Sequence, residues 1–129
     1  MNLLLDTDVL IFFLRGDRRV KKLLQCNDRF YCSTITRKEL LGKAGLMDRE
    51  RKAIHSLLSR LRLIPVDQGI AAIADKIHRK YNHRGLQIPD ALIAATAMDK
   101  KLTLVSYNQK HFCFIEGLTL LPARGLDKL

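Results

Sequence analysis

The chain has 129 residues, of which 47% are hydrophobic and 28% are charged. This length and balance predict one globular domain over residues 1–129, and they exclude a multidomain enzyme, a disordered chain and a fibrous protein. The 23 Lys and Arg residues against 13 Asp and Glu residues leave a formal net charge of +10. Such a charge favours a polyanionic partner, which can be RNA, DNA, an acidic membrane or an acidic protein.

Short apolar runs alternate with amphipathic segments along the chain. Five runs are predicted as strands, and they comprise residues 3–5, 30–33, 63–66, 102–106 and 118–121. Helices are predicted between them after the capping residues Asp17, Asp48 and Asp67, and another begins at Pro89. The alternation predicts a three-layer α/β sandwich, in which helices flank a central parallel sheet.

Three acidic residues are expected at one edge of this sheet. Asp6 follows the first strand, Glu39 lies in the segment after the second strand, and Asp90 follows Pro89 at the start of a small-residue helix. The carboxyl ends of parallel strands share an edge, where the sites of α/β proteins usually lie. Carboxylates gathered there repel, so we expect raised pKa values, nearby basic groups or a divalent cation. Oxygen ligands favour Mg²⁺ or Mn²⁺ over zinc.

Each of these acids also has a purely structural explanation. Asp6 or Asp8 can cap the helix that follows, and Glu39 can form a capping box with Thr36. Asp90 lies in a first helical turn, where the helix dipole favours a negative charge. The metal-site interpretation therefore depends on the three acids lying together. A divalent ion at such a site can activate water against a phosphodiester bond.

Four segments, taken in order, resemble one known family. They are residues 4–11 (LLDTDVLI), 33–40 (STITRKEL), 89–97 (PDALIAATA) and 104–112 (LVSYNQKHF). Over nearly the whole chain this series resembles the PIN-domain ribonucleases, in particular the VapC-like toxins of type II toxin–antitoxin pairs. The resemblance implies a PIN-like domain, metal-dependent endoribonuclease activity on RNA, homodimerisation and inhibition by a cognate antitoxin.

The resemblance also implies the site residues. Asp6, Glu39 and Asp90 would be catalytic residues and metal ligands, and Asn108 would be a further catalytic residue. Many members carry an acid where Asn108 stands here, and often another where His111 stands. Because Asn108 offers an uncharged carbonyl oxygen, a second ion should be held weakly, and we expect one tightly bound Mg²⁺ or Mn²⁺.

Three neighbouring residues have no assigned role. Asp8 can orient a water or a neighbouring amide, or cap a helix. Ser106 can belong to the site or to a simple strand end and turn. His111 can contact the scissile phosphate.

Basic side chains are the candidates for contact with the RNA backbone. Arg15, Arg18, Arg37 and Lys38 are selected because they are close in sequence to Asp6 or Glu39. Most other Lys and Arg residues fall opposite the apolar helical stripes, where they keep a protein soluble. No aromatic RNA-recognition signature is present, so we do not expect a stacking platform for bases.

The longest apolar stretches and the cysteines indicate in which compartment we expect the protein. The run over residues 9–14 is far shorter than a membrane helix, and an acid interrupts the N-terminal leucines. We therefore expect neither a signal peptide nor a membrane span. The three cysteines form no CxxC pair, which argues against structural zinc and favours a reducing cytoplasm.

Two rival functions fit parts of the sequence. One is a non-catalytic basic module that binds nucleic acid, with its acids acting as caps and salt-bridge partners. The other starts from residues 6–9 (DTDV), which are also similar to the DxD opening of haloacid-dehalogenase-like phosphohydrolases. That family usually needs a longer chain and a late acidic pair.

Overall fold

A computed structural model describes residues 1–122, which contain a five-stranded sheet in the order β3-β2-β1-β4-β5. The strands are β1 (Asn2–Leu5), β2 (Arg29–Ser33), β3 (Arg62–Ile64), β4 (Thr103–Ser106) and β5 (Leu120–Pro122). Every neighbouring pair is parallel. The predicted α/β fold with a central parallel sheet is therefore confirmed.

Seven helices and one 3₁₀ turn connect and cover the strands within residues 1–122. The helices are α1 (Thr7–Leu14), α2 (Arg18–Leu24), α3 (Thr34–Leu41), α4 (Asp48–Leu58), α5 (Gln68–Tyr81), α6 (Ile88–Asp99) and α7 (Gln109–Phe112), and the 3₁₀ turn is Asn82–Arg84. In this part of the chain, no helix combines the length and apolarity that crossing a membrane requires.

The central strand β1 divides the core into two layers. Leu3 and Leu5 point to one face and pack in a cluster with apolar residues of α1, α2, α3 and α4. Leu4 points to the other face and packs with residues of α5, α6 and α7. Successive side chains of a strand alternate between faces, so one apolar run serves both layers. All three leucines are fully buried, which fixes β1 at the centre of the sandwich.

Several predicted helix starts can be compared with the structure. Asp17 and Asp67 are N-caps as predicted, and each accepts backbone N–H groups at the start of its helix. Asp48 was predicted as the cap of α4, and this is wrong: Met47 occupies the cap, and its N–H donates to Glu50 Oε1 at 3.3 Å. Glu50 therefore plays the part of the third residue of a capping box, whose side chain accepts the backbone N–H of the N-cap residue.

Other boundaries shift by one or two residues. Helix α6 begins at Ile88, one residue before Pro89, so the proline lies in the first turn rather than at its first position. Proline is tolerated there because first-turn N–H groups have no partner within the helix. Strand β3 ends at Ile64, ahead of Pro65, which cannot donate to a strand ladder.

Candidate active site

Asp6 lies at the tip of β1, in the turn that leads into α1. Its backbone N–H donates to Val105 O of β4 at 3.0 Å. One carboxylate oxygen accepts the Thr7 N–H and the other accepts the Ser106 hydroxyl, both at 2.8 Å. Asp6 is therefore the N-cap of α1, as its structural explanation proposed, and it is also tied to the end of β4.

The environment of Asp6 disfavours its negative charge. The side chain is only 5% exposed. The pKa of Asp6 is raised from 3.8 to about 7, chiefly by burial and further by the charges of Asp8 and Asp90, while the hydrogen bonds from Ser106 and Thr7 oppose the rise. Such a carboxyl group loses its proton less readily than an exposed one, and a bound cation would favour its anion.

Glu39 reaches the same region from α3. The helix begins at Thr34, and its N-cap is Ser33, whose hydroxyl accepts the Ile35 N–H at 3.2 Å. The proposed capping box of Thr36 and Glu39 is therefore wrong, because both residues lie inside the helix. Instead, the hydroxyl of Thr7 is hydrogen-bonded to the Thr36 hydroxyl at 3.0 Å and to Glu39 Oε1 at 3.2 Å.

Asp90 lies in the first turn of α6, where the sequence predicted that it would interact with the helix dipole. It is half-buried, and its Oδ2 lies 3.5 Å from Nδ1 of His111, which follows β4 in α7. Burial raises the pKa of Asp90, while the His111 charge and the neighbouring hydrogen bonds lower it. His111 thus contacts one of the three acids, a role that its sequence position did not specify.

The three predicted acids act on one another electrostatically. The charge of Asp90 raises the pKa of Asp6 and also that of Glu39, for which partial burial is the larger cause. Three elements, the β1–α1 turn, α3 and α6, therefore bring carboxylates within electrostatic reach at one edge of the sheet. Within residues 1–122, no Lys or Arg side chain is ion-paired with any of them.

This donor set fits a hard divalent cation in its chemistry. It consists of carboxylate oxygens that no Lys or Arg side chain of residues 1–122 pairs with, although His111 lies beside Asp90. Such oxygens are preferred by Mg²⁺ and Mn²⁺. Among the described residues, no three His, Cys, Asp or Glu side chains already converge as closely as a bound ion requires. Repulsion between like charges acts against such convergence in the absence of a cation.

The turn after β4 contributes the remaining polar groups. The backbone N–H of Tyr107 donates to Asp8 Oδ2 at 3.1 Å, and the N–H of Asn108 donates to Ser106 Oγ at 2.9 Å. Asn108 is the N-cap of α7, and its exposed side chain makes no capping bond. The structure thus places Asn108 beside the residues that hold Asp6.

The four basic candidates are all exposed, but they lie at different distances from the acids. Arg37 and Lys38 immediately precede Glu39 on α3. Arg15 follows the last residue of α1, and Arg18 begins α2. Because α1 has eight residues, Arg15 is about 12 Å along the helix axis from the Asp6 end. Arg37 and Lys38 are therefore the candidates on the same helix as one of the three acids.

Sequence reasoning named Ser106 as a possible site residue, but it missed the contacts by which hydroxyl groups connect these elements. Thr7 links α1 to α3, and Ser106 links β4 to Asp6. Thr36 and Ser106 are fully buried. For Thr7, the only signal in the sequence was its position between two acids, and its partners lie 29 and 32 residues away.

Comparisons with known proteins agree with this architecture. The PIN domain model matches residues 3–116. Ribonuclease VapC10 of Mycobacterium tuberculosis is 34% identical over 121 residues, which cover 90% of each chain. A toxin–antitoxin complex from Klebsiella pneumoniae contains a chain that is 30% identical, with a TM-score of 0.80, over 95% of this chain and 98% of that one. VapBC2 of Rickettsia felis, solved with a promoter DNA fragment, has a TM-score of 0.82 at 25% identity, over the same shares. The chain belongs to the PIN domain family.

Proposed function

We propose that the protein is the ribonuclease toxin of a toxin–antitoxin pair, and that it hydrolyses phosphodiester bonds in RNA with Mg²⁺ or Mn²⁺ held by Asp6, Glu39 and Asp90. The observation that carries the proposal is the gathering of these three acids from separate elements, without an ion-paired Lys or Arg in the described chain. The ribonuclease VapC10 and the toxin–antitoxin complex among the similar proteins support it.

The residues of the chain prepare the site for this chemistry. A bound divalent ion supplies Lewis acidity, which neutralises phosphate charge and makes water a better nucleophile. Thr7 N–H and the Ser106 hydroxyl fix both oxygens of Asp6, so the carboxylate does not have to reorganise during the reaction. The Thr7 hydroxyl orients Glu39, and the first turn of α6 holds Asp90. Asn108 would offer a neutral oxygen at the same edge.

The proposed function is tested by incubating the purified protein with single-stranded RNA. We expect cleavage with Mg²⁺ or Mn²⁺, none in EDTA, and recovery when the ion is restored. Undiminished cleavage in EDTA would contradict the metal-dependent proposal. RNA that binds and stays intact with either ion would favour the non-catalytic module, and a phosphorylated Asp6 would favour the phosphohydrolase.

RNA binding should depend on salt and on the two basic residues beside Glu39. For single-stranded RNA, the logarithm of the affinity falls by roughly 0.7 per decade of salt for each phosphate contacted. The double variant Arg37→Gln/Lys38→Gln should therefore bind more weakly, with a slope shallower by about 1.4 if each residue contacts one phosphate. Fluorescence anisotropy in EDTA measures binding without cleavage.

A variant with the same charge change controls for net charge. Arg49 and Lys52 are exposed on α4, a separate helix from the one that carries Glu39. For Arg49→Gln/Lys52→Gln, the slope of log affinity against log salt concentration should stay within about 0.3 of the wild-type slope. Equal slopes for the two double variants would show that only overall charge matters and would remove Arg37 and Lys38 from the RNA contact.

An antitoxin partner, a homodimer and a cytoplasmic location belong to the same proposal. The toxin–antitoxin complexes among the similar structures support the protein partner. The formal charge of +10 also favours association with an acidic protein as well as with RNA. Co-expression with the product of the neighbouring reading frame, followed by size-exclusion chromatography, tests both the partner and the dimer.

A further inference from the structure

Asp8 joins two segments of the chain that are far apart in sequence. It lies in the first turn of α1, two residues after Asp6. Its Oδ2 accepts the backbone N–H of Tyr107 at 3.1 Å, across 99 residues of chain, and lies 3.4 Å from the Ser106 hydroxyl. Asp8 therefore connects the start of α1 to the turn that follows β4.

That turn holds Asp6 through Ser106. The Ser106 hydroxyl donates to Asp6 Oδ2 at 2.8 Å and accepts the Asn108 N–H at 2.9 Å. A hydroxyl group has one proton, and the shorter contact with Asp6 is the better bond for it. The Tyr107 amide is consequently the principal hydrogen-bond donor to Asp8, and a shift of this amide would move the adjacent Ser106.

Capping alone does not account for the Asp8 carboxylate. Asp6 is the residue that caps α1, so Asp8 is left with the weaker effect of a first-turn acid on the helix dipole. The backbone N–H that its carboxylate accepts, from Tyr107, belongs to the turn after β4 and not to its own helix. Its other oxygen, Oδ1, is buried without a hydrogen-bond partner among residues 1–122. The side chain is thus buried toward the turn rather than turned to solvent.

We propose that Asp8 is a positioning residue, which holds the Ser106–Asn108 turn so that the Ser106 hydroxyl points at Asp6. The inference rests on the proposed ribonuclease function and adds a role for a side chain that is outside the predicted set of metal ligands. It acts through Tyr107 and Ser106 and does not touch the substrate.

Two substitutions separate hydrogen bonding from charge. Asp8→Asn keeps an oxygen that can accept the Tyr107 N–H but removes the negative charge. Asp8→Ala removes both. If Asp8 positions the turn, Asp8→Ala should lower kcat for RNA cleavage by about tenfold with KM within about threefold of wild type, and Asp8→Asn should restore kcat to within about threefold.

Hydrogen exchange followed by NMR supplies a readout that does not need activity. The amide of Tyr107 should exchange about tenfold faster in Asp8→Ala, and within about threefold of wild type in Asp8→Asn. Asp48 provides a matched control because it is an exposed acid in the first turn of α4. Asp48→Ala should leave both kcat and Tyr107 exchange within about twofold of wild type.

Two results would overturn the inference. Asp8→Ala with wild-type kcat and wild-type Tyr107 exchange would show that the contact is dispensable. An equal loss of kcat in both Asp8 variants, with Tyr107 still protected in Asp8→Asn, would show that the charge of Asp8 acts directly. If the wild-type protein cleaves no RNA, the proposed function fails, while the exchange data still decide whether Asp8 holds the turn.

Discussion

Replacing Asp6 or Asp90 with Asn should lower kcat for RNA cleavage by about 100-fold or more. Each substitution removes one carboxylate charge from a set of three that has no ion-paired Lys or Arg among the described residues. Loss of that charge weakens the hold on a divalent ion and therefore the activation of water. Initial rates at saturating Mn²⁺, and the affinity for Mn²⁺ from isothermal titration calorimetry, measure the two effects separately.

The fold should survive both substitutions. In Asp6→Asn the amide oxygen can still accept the Thr7 N–H and keep the cap of α1. The amide NH₂ can donate to Ser106, since a hydroxyl group also accepts hydrogen bonds. Circular dichroism spectra of the variants should match that of the wild type.

Asp75→Asn is the control for these experiments, because Asp75 pairs with Arg79 on the exposed side of α5. It should cleave RNA at the wild-type rate. Equal cleavage by the wild type, Asp6→Asn and Asp90→Asn would assign the activity to a contaminating nuclease.

The metal-free protein should lose stability as the pH rises from 5 toward 8. The pKa of Asp6 is about 7 in the folded state against 3.8 for the model carboxyl group, so between these values the folded state binds more protons than the unfolded state. The free energy of unfolding must then decrease with increasing pH and level off above pH 7. The raised pKa values of Asp8, Glu39 and Asp90 act in the same direction. The expected loss is on the order of a few kcal/mol.

Thermal melts in EDTA at pH 5 and pH 8 measure this effect. Asn at position 6 does not ionise as the pH rises, so the stability of Asp6→Asn should depend less on pH than that of the wild type. At pH 8 the variant should therefore have the higher melting temperature. Mn²⁺ should raise the melting temperature of the wild type at pH 8 more than that of Asp6→Asn, because binding to the folded state stabilises it. The lowered pKa values of Asp17 and Asp67 act below pH 4 and do not enter this window. If the melting temperatures of the wild type and Asp6→Asn changed in parallel with pH, the raised pKa of Asp6 would be contradicted.

The parallel sheet and its flanking helices could be predicted from the sequence because local sequence patterns determine these elements. Leu3, Leu4 and Leu5 form a continuous apolar run, which is typical of a strand covered on both faces. Asp17 and Asp67 stand directly before amphipathic helices, where their side chains satisfy first-turn amides. Such rules depend on residues a few positions apart, so no knowledge of the tertiary structure is needed.

The candidate site could be predicted only in part, because its contacts join segments that are far apart in the sequence. The expected sheet edge and the family resemblance both selected Asp6, Glu39 and Asp90, but the local pattern at Thr36 and Glu39 suggested a helix start that the structure does not have. Ser33 ends β2 and caps α3 at once, so no loop marks the boundary. Likewise, nothing in the sequence around Asp8 reveals that its partner is the amide of Tyr107.

The order of the strands has a consequence for the protein during its synthesis. Strand β4 pairs with β1, although 97 residues lie between the end of β1 at Leu5 and the start of β4 at Thr103. A growing polypeptide that has not yet released β4 from the ribosome lacks Ser106 and the turn that secures Asp6. On the proposed function, a nascent chain therefore lacks the complete site until most of its length has been translated.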